Sequence, residues 1–263
     1  MTDAGPALLS VVTVVRNDPT GLAATEESLR RALQVDASAD NRVEWIIVDG
    51  SDSPVPPSTL QGLATRFVPQ PPAGIFEAMN LGLSEASGEW IYFLNAGDAL
   101  ADNEALNRLL GALGRTQRSW GFARVRFFDS QGRAISEPAW EYARQRQARF
   151  ARGRFPPHQG TVVKTDVLRG IGGFDTRFRI TADYHAALRL SLIGDPEIWP
   201  WTLADFTQGG ASSAHWRQAL REMHQARREV FSPRGWSAVV EHTDTIAQFL
   251  SSAVARVPTS MRR

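Results

Sequence analysis

The sequence predicts an α/β fold: a central, mostly parallel sheet with helices packed against it. Three observations carry that prediction. Apolar runs rich in β-branched residues recur through the first part of the chain, LLSVVTVV at Leu8–Val15, EWIIV at Glu44–Val48 and WIYFL at Trp90–Leu94, and such runs mark strands buried on both faces. Between them lie segments with helical spacing of apolar residues, such as Leu22, Leu29 and Leu33. Strands that alternate with helices imply parallel pairing through right-handed crossovers.

The first strand ends at Val15, and beyond Arg16 Asn17-Asp18-Pro19-Thr20 forms a turn suited to starting a helix. The second strand ends at Asp49-Gly50-Ser51. After a Pro-rich turn, Arg66–Val68 is read as a short third strand, halted by the prolines between Pro69 and Pro72. Ile75–Ala86 reads as a helix, and Trp90–Leu94 as a strand ending at Asn95-Ala96-Gly97-Asp98. Beyond residue 115 the alternation fades. Trp120–Phe128 and His158–Val163 read as strands, Tyr142–Arg154 is rich in arginine, and Thr181 can cap a helix running to Ile193 with Gly194 as its stop. From Ala214 onward two helical stretches are split by Ser232-Pro233, and in the second Ile246, Leu250, Ala253 and Val257 form an apolar stripe. With no internal repeat and no low-complexity linker, a single domain with a helical tail is expected.

Composition narrows the function. The 263 residues are 43% hydrophobic, with 13 Phe and 8 Trp, enough for a substantial core. The absence of cysteine excludes disulfides, cysteine-ligated zinc, iron–sulfur clusters and thiol nucleophiles. Basic and acidic residues number 29 and 28, a balance that argues against a general nucleic-acid binder. No apolar run reaches the ~18 residues of a membrane-spanning helix, and Met1–Pro6 lacks the features of a signal peptide; a soluble, cytoplasmic chain is the expectation. RNDPTG follows the first strand where a dinucleotide site would carry Gly-x-Gly-x-x-Gly, and neither a Walker A lysine loop nor a Gly-x-Ser-x-Gly elbow occurs. Ligands of open parallel sheets bind beyond the carboxyl ends of the strands. That rule alone makes Arg16–Asn17, Asp49 and Asn95–Asp98 neighbours on one rim.

The segments SVVTVVRND, EWIIVDGSDS, GIFEAMNLGLSEASGEWIYFLNAGD, PPHQGTVVK, GGFDTRFRITADYHAALRL and FTQGGAS occur in that order. Together they resemble glycosyltransferase family 2, and within it the colanic-acid-type enzymes that build bacterial surface glycans. The likeness runs from Leu8 to Ser212 and is most specific over Gly74–Asp98. It implies a GT-A fold with helices on both faces of the sheet, a nucleotide-sugar donor, a glycan or glycolipid acceptor, a divalent cation (Mg2+ or Mn2+) and inversion at the anomeric carbon. It also implies a division into a glycosyltransferase domain at 7–212, with a nucleotide-sugar half at 7–115 and an acceptor half at 116–212, and a helical extension at 213–263.

The resemblance assigns residues as well. Val14, Arg16 and Asn17 fall at the donor, and Asp49 takes the position that binds the donor's nucleobase, although an aspartate before Gly50 also suits a turn that binds its own backbone. SDSPVPPS departs from the family's usual continuation after that position. Asn95 and Asp98 occupy the place of the acidic metal motif, thinned because Asn95 and Gly97 replace acids. Asp98 is then the metal ligand, and Asn95 faces the donor ribose or a metal-bound water. Asp183 matches the catalytic base, a role that competes with a simple dipole contact at a helix start. Gly74 and Asn80 belong to the donor motif, Asn80 touching the donor, pinning the Asp49 loop or merely facing solvent. His158 and Gln159 match an HQ pair at acceptor or diphosphate, and Gly209 and Gly210 a glycine loop whose N–H groups approach the diphosphate.

Two features stay open between readings. The arginines at 144, 146, 149, 152 and 154 suit an anionic acceptor, a lipid headgroup or a solvated face. The tail stripe suits a membrane surface at the inner face of the cell membrane, a homodimer contact or packing on its own domain. The thinned acidic motif leaves a catalytically silent nucleotide-sugar-binding protein as the alternative. A sugar nucleotidyltransferase is disfavoured because no Gly-rich basic loop follows the first strand.

Overall fold

A computed structural model describes residues 7–35, 42–54, 66–71, 74–129, 131–135, 150, 155–207 and 215–232. Its centre is β1 (Leu9–Val15), buried at every position as its uncharged sequence requires. A connection through α1 (Pro19–Val35) leads to β2 (Val43–Asp49), which pairs parallel with β1 from Leu9 opposite Val43 to Val15 opposite Asp49. β3 (Arg66–Pro69) extends the sheet on that side, also parallel. α2 (Ile75–Glu85) returns the chain to β4 (Trp90–Phe93), parallel to β1 on its other side.

The remaining strands are β5 (Ala99–Leu100), β6 (Trp120–Phe128), β7 (Ala134–Ile135), β8 (Thr161–Lys164) and β9 (Glu197–Thr207). The helices α3 (Ala105–Leu113), α4 (Thr165–Gly170), α5 (Ala182–Ile193) and α6 (Trp216–Phe231) complete the described elements. Strand order is β3-β2-β1-β4-β8-β6-β9-β5, with β7 on β6. The sheet is parallel through β4, as the alternation implied, and mixed beyond it: β8 runs antiparallel to both β4 and β6, and β9 parallel to β6.

Alternation along β1 sends Val12 and Val14 to one face, with Ile46, Val48, Ile91 and Phe93, where α2 and α5 cover them. Leu9, Val11 and Val15 point to the other, with Trp45, Ile47 and Tyr92, under α1 and α3. Burying each such side chain is worth about 1.5–3 kcal/mol, so register is set from both faces at once. Gly82 permits the close packing of α2 on β1, because a Cβ there would sit 2.4 Å from Val12 Cγ1.

Two expectations are corrected, and one strand is unanticipated. The strand expected from His158 begins only at Thr161. His158–Gly160 is a 3-10 turn closed by Gly160 N–H donating to Pro157 O at 3.0 Å and Thr161 Oγ1 to the same oxygen at 2.9 Å. Thr181 stands before α5 but makes no side-chain cap. The 11-residue β9 carries no strand signal: Pro200 interrupts it, and its pairing with β6 shifts register at Arg124. The arginines from 144 to 154, Gly209, Gly210 and the tail stripe lie outside the described residues. No described helix is long and apolar enough to cross a membrane.

Candidate functional site

The carbonyls that end β1 suspend the neighbouring loops. Gly50 N–H donates to Val15 O at 2.9 Å, and Ala96 N–H to Val14 O at 3.1 Å. Val14 therefore contributes backbone, its side chain being in the core, while Arg16 is exposed on the rim. Asn17 takes a left-handed conformation (φ 52°), which asparagine tolerates better than most residues. Its N–H donates to Ser51 Oγ at 2.7 Å, Nδ2 donates to Asp52 Oδ2 at 3.0 Å, and Oδ1 accepts the Asp52 N–H at 3.0 Å. Asp18 then caps α1 by accepting the Gly21 N–H at 2.8 Å, ahead of Pro19 in the first helical position. Asp49 is fully buried, and its Oδ1 accepts the Ser51 N–H at 2.8 Å. Gly74 precedes α2 at the same rim, exposed, with Glu77 folded over it so closely that a Cβ would lie 2.2 Å from Oε2.

The Asn95–Asp98 loop is held from α1. Thr25 Oγ1 lies 2.7 Å from Asp98 O and 3.1 Å from Asn95 O and accepts the Gly97 N–H at 3.1 Å. Asp98 is 5% exposed. Burial raises its carboxyl to about 6, against the opposing pull of His158, the Asn95 N–H and the Gln159 side chain. Tyr92, buried beneath, donates its hydroxyl to Gln159 O at 2.8 Å, and burial and the Asp98 charge push that phenol upward.

His158 joins this loop to α5. Asn95 Nδ2 lies 3.1 Å from His158 Nε2. Nδ1 faces Asp183 Oδ2 at 3.6 Å, while Asp183 Oδ1 accepts the Tyr184 N–H at 2.8 Å. The pair also lines a largely apolar hollow of about 30 Å3, walled by Phe93, Leu168, Phe174, Ala187 and Leu190. With Nδ2 committed to His158, Asn95 Oδ1 is buried without a partner among the described residues. Asp98 and that orphan oxygen are both hard oxygen donors, the set that Mg2+ or Mn2+ prefers.

The structure thus brings Arg16, Asn17, Asp49 and Gly74 to one side of the rim and joins Asn95, Asp98, His158, Gln159 and Asp183 in a connected group. Asn80 does not join them. Its Nδ2 donates to Phe174 O at 2.7 Å and its Oδ1 accepts the Phe174 N–H at 2.9 Å, so its amide ties the Gly173–Phe174 bend to α2 in place of the expected donor contact. Sequence reasoning missed Thr25, Tyr92, Ser51 and Asp52. Only Thr25 left a signal, as a polar residue on the stripe of Leu22 and Leu29. Asp175, His185 and Glu229 bring ligand atoms within 4.8 Å of one another. This group lies about 200° round α5 from Asp183, and Arg177 already bridges its two carboxylates, at 2.6 Å from Asp175 and 3.0 Å from Glu229.

Comparison with known proteins gives the family and the fold. Residues 10–172 match the family model "Glycosyl transferase family 2". Two uncharacterized glycosyltransferases of Mycobacterium tuberculosis, MT1564 and Rv1514c, are each 28% identical over 212 residues, covering 78% of this chain and 77% of theirs. Among solved structures, S. aureus TarS 1-349 in complex with UDP superposes with a TM-score of 0.63 at 14% identity, over 92% of this chain and 70% of that one. The mannosyltransferase PcManGT from Pyrobaculum calidifontis, in complex with GDP-Man and Mn2+, gives 0.59 at 16% identity, over 97% and 79%. At such identities the structural likeness establishes the fold, which is GT-A. The family match covers the rim loops and the HQ pair, and on that ground the chain belongs to glycosyl transferase family 2.

Proposed function

We propose that this chain is an inverting, metal-dependent glycosyltransferase that moves a sugar from a nucleoside-diphosphate donor to a hydroxyl of a glycan or glycolipid. The observation that supports the reading is the group in which Asp98 meets the Gln159 side chain while the adjacent His158 meets Asn95 at 3.1 Å and faces Asp183 at 3.6 Å, so that a carboxylate suited to a cation and a candidate base share one rim. That TarS binds UDP and UDP-GlcNAc, and PcManGT GDP-Man with Mn2+, supports the donor class and the cation.

In this reading Asp49 accepts a hydrogen bond from the nucleobase, and Arg16 and Asn17 border the nucleoside. Asp98 holds the cation, with Asn95 Oδ1 on a donor hydroxyl or a bound water. Bound there, a divalent cation supplies neutralisation of the charge that develops on the departing diphosphate. Asp183 takes the acceptor's proton as that oxygen bonds to the anomeric carbon and the bond to the diphosphate oxygen breaks. One displacement inverts the stereochemistry. His158 borders the base, its Nδ1 facing Asp183 Oδ2 at 3.6 Å.

The test is a panel of UDP- and GDP-sugars, screened by thermal shift with Mn2+ and with EDTA, followed by nucleoside diphosphate release and the product's anomeric configuration. Donor binding and release that require the cation support the proposal. Binding without any release, with acceptors and with water, would leave a silent nucleotide-sugar-binding protein.

A further inference from the structure

The helix that carries Asp183 starts without a cap of its own. Thr181 stands at the N-cap position with φ −130° and ψ 31°, and no side-chain cap bond is made there. A carboxylate from far along the chain gathers the backbone leading into it. Glu222, on α6 and 8% exposed, accepts the Arg179 N–H at Oε1 (3.2 Å) and the Ile180 and Thr181 N–H groups at Oε2 (2.9 and 3.1 Å). Thr181 Oγ1 lies 3.3 Å from Oε2, and Gln218 Nε2 donates to Oε1 at 2.8 Å. Three successive N–H groups converging on one anion make a nest, which fixes the backbone that forms it as firmly as it holds the anion.

Here the anion is part of the protein, so the nest serves to place the chain. The consequence falls two residues on, at Asp183, whose carboxylate accepts, among the described residues, only the neighbouring Tyr184 N–H. We infer that Glu222 is a positioning residue for catalysis: it sets the first turn of α5, and thereby the reach of the Asp183 carboxylate to His158 and to the acceptor. The inference rests on Asp183 being the base. It also gives α6 a function. That helix lies beyond the family-matched residues, and with Ala226 and Arg227 buried against the domain it carries Glu222 to the start of α5.

The experiment compares Glu222→Ala and Glu222→Gln in the full chain, with UDP-GlcNAc and GDP-mannose as donor probes. Donor affinity is read by calorimetry and turnover by nucleoside diphosphate release, well below each variant's Tm. Misplacing a catalytic group by about 1 Å can cost about a hundredfold in rate. We therefore expect kcat to fall between about ten- and a hundredfold in Glu222→Ala. Glu222→Gln, which retains one oxygen for the nest, recovers part of the loss, and donor Kd and KM stay within about twofold of wild type because the donor rim belongs to other elements. Folded Glu222→Ala with wild-type kcat overturns the inference, as does a kcat that only tracks the folded fraction. If Glu222→Ala fails to fold, Glu222→Gln decides: reduced kcat with unchanged donor Kd supports positioning, and wild-type turnover overturns it. Failure of both variants to fold makes Glu222 a folding residue and overturns it too. Asp183→Asn separates the two layers. If that variant turns over normally, the base reading fails; if it is inactive while both Glu222 variants are fully active, only the present inference fails.

Discussion

The donor rim and the start of α5 are built by different means. The rim hangs first on main chain, β1 carbonyls carrying the Gly50 and Ala96 N–H groups and register placing Val15 opposite Asp49, with the Thr25 hydroxyl added under the Asn95–Asp98 loop. At α5, side chains from distant segments do the holding, with Glu222 on the lead-in backbone and His158 facing Asp183. A site hung from strand ends inherits the precision of the sheet. A site oriented by remote side chains depends on single residues, and can be altered one residue at a time.

The largest expected effect lies at α5. Asp183→Asn keeps the shape and removes the base, so kcat should fall by about 10²–10⁴ with donor affinity unchanged; calorimetry beside single-turnover rates checks it, and an equal loss of donor affinity would merge the two regions into one.

Asp98→Asn should act on the rim in two directions. Donor binding should lose its dependence on Mn2+. Meanwhile the metal-free protein should become more stable above pH 6. The sign follows from burial: the folded carboxyl titrates near 6 against an ordinary 3.8, so between those values the folded state holds more protons than the unfolded state. Stability contributed by this group therefore declines as pH rises from about 4 to about 6 and stays low beyond. Removing the charge should recover up to about 3 kcal/mol at pH 8 and nothing below about pH 4, as read from urea unfolding across that range.

Thr25→Val tests whether α1 supports the rim through one hydroxyl. It removes the buried donor to the Asn95 and Asp98 carbonyls and the acceptor of the Gly97 N–H, and should cost about 1–3 kcal/mol together with weaker donor binding. The smallest effect is expected from Asn17→Gly, which preserves the left-handed backbone and loses only exposed contacts to Asp52, under about 1 kcal/mol by denaturation. A larger loss would show that the loops after β1 and β2 also lean on a side chain.

The same contrast explains what could be read in advance. β1, β2 and β4 were evident because strands buried on both faces must be apolar throughout, and the rim followed from their ends. The start of α5 at Ala182 is legible too, but not what fixes it: Thr181 resembles a cap yet makes no cap bond, and Glu222 instead holds the Arg179–Thr181 backbone that leads into the helix. β9 stayed hidden because Pro200 and a register shift break the alternation on which strand recognition depends.

Local patterning and chain order were therefore enough for the α/β class, the family and the set of polar residues at strand ends, since each depends on neighbours within a few residues. Folding assigned the partners: Thr25 to the Asp98 loop, Asn80 to Phe174 and away from the rim, His158 between Asn95 and Asp183, and Glu222 to the start of α5. Hydrogen bonds between segments separated by 41 to 94 residues leave no periodic trace along the chain, because what brings their ends together is the packing of other residues.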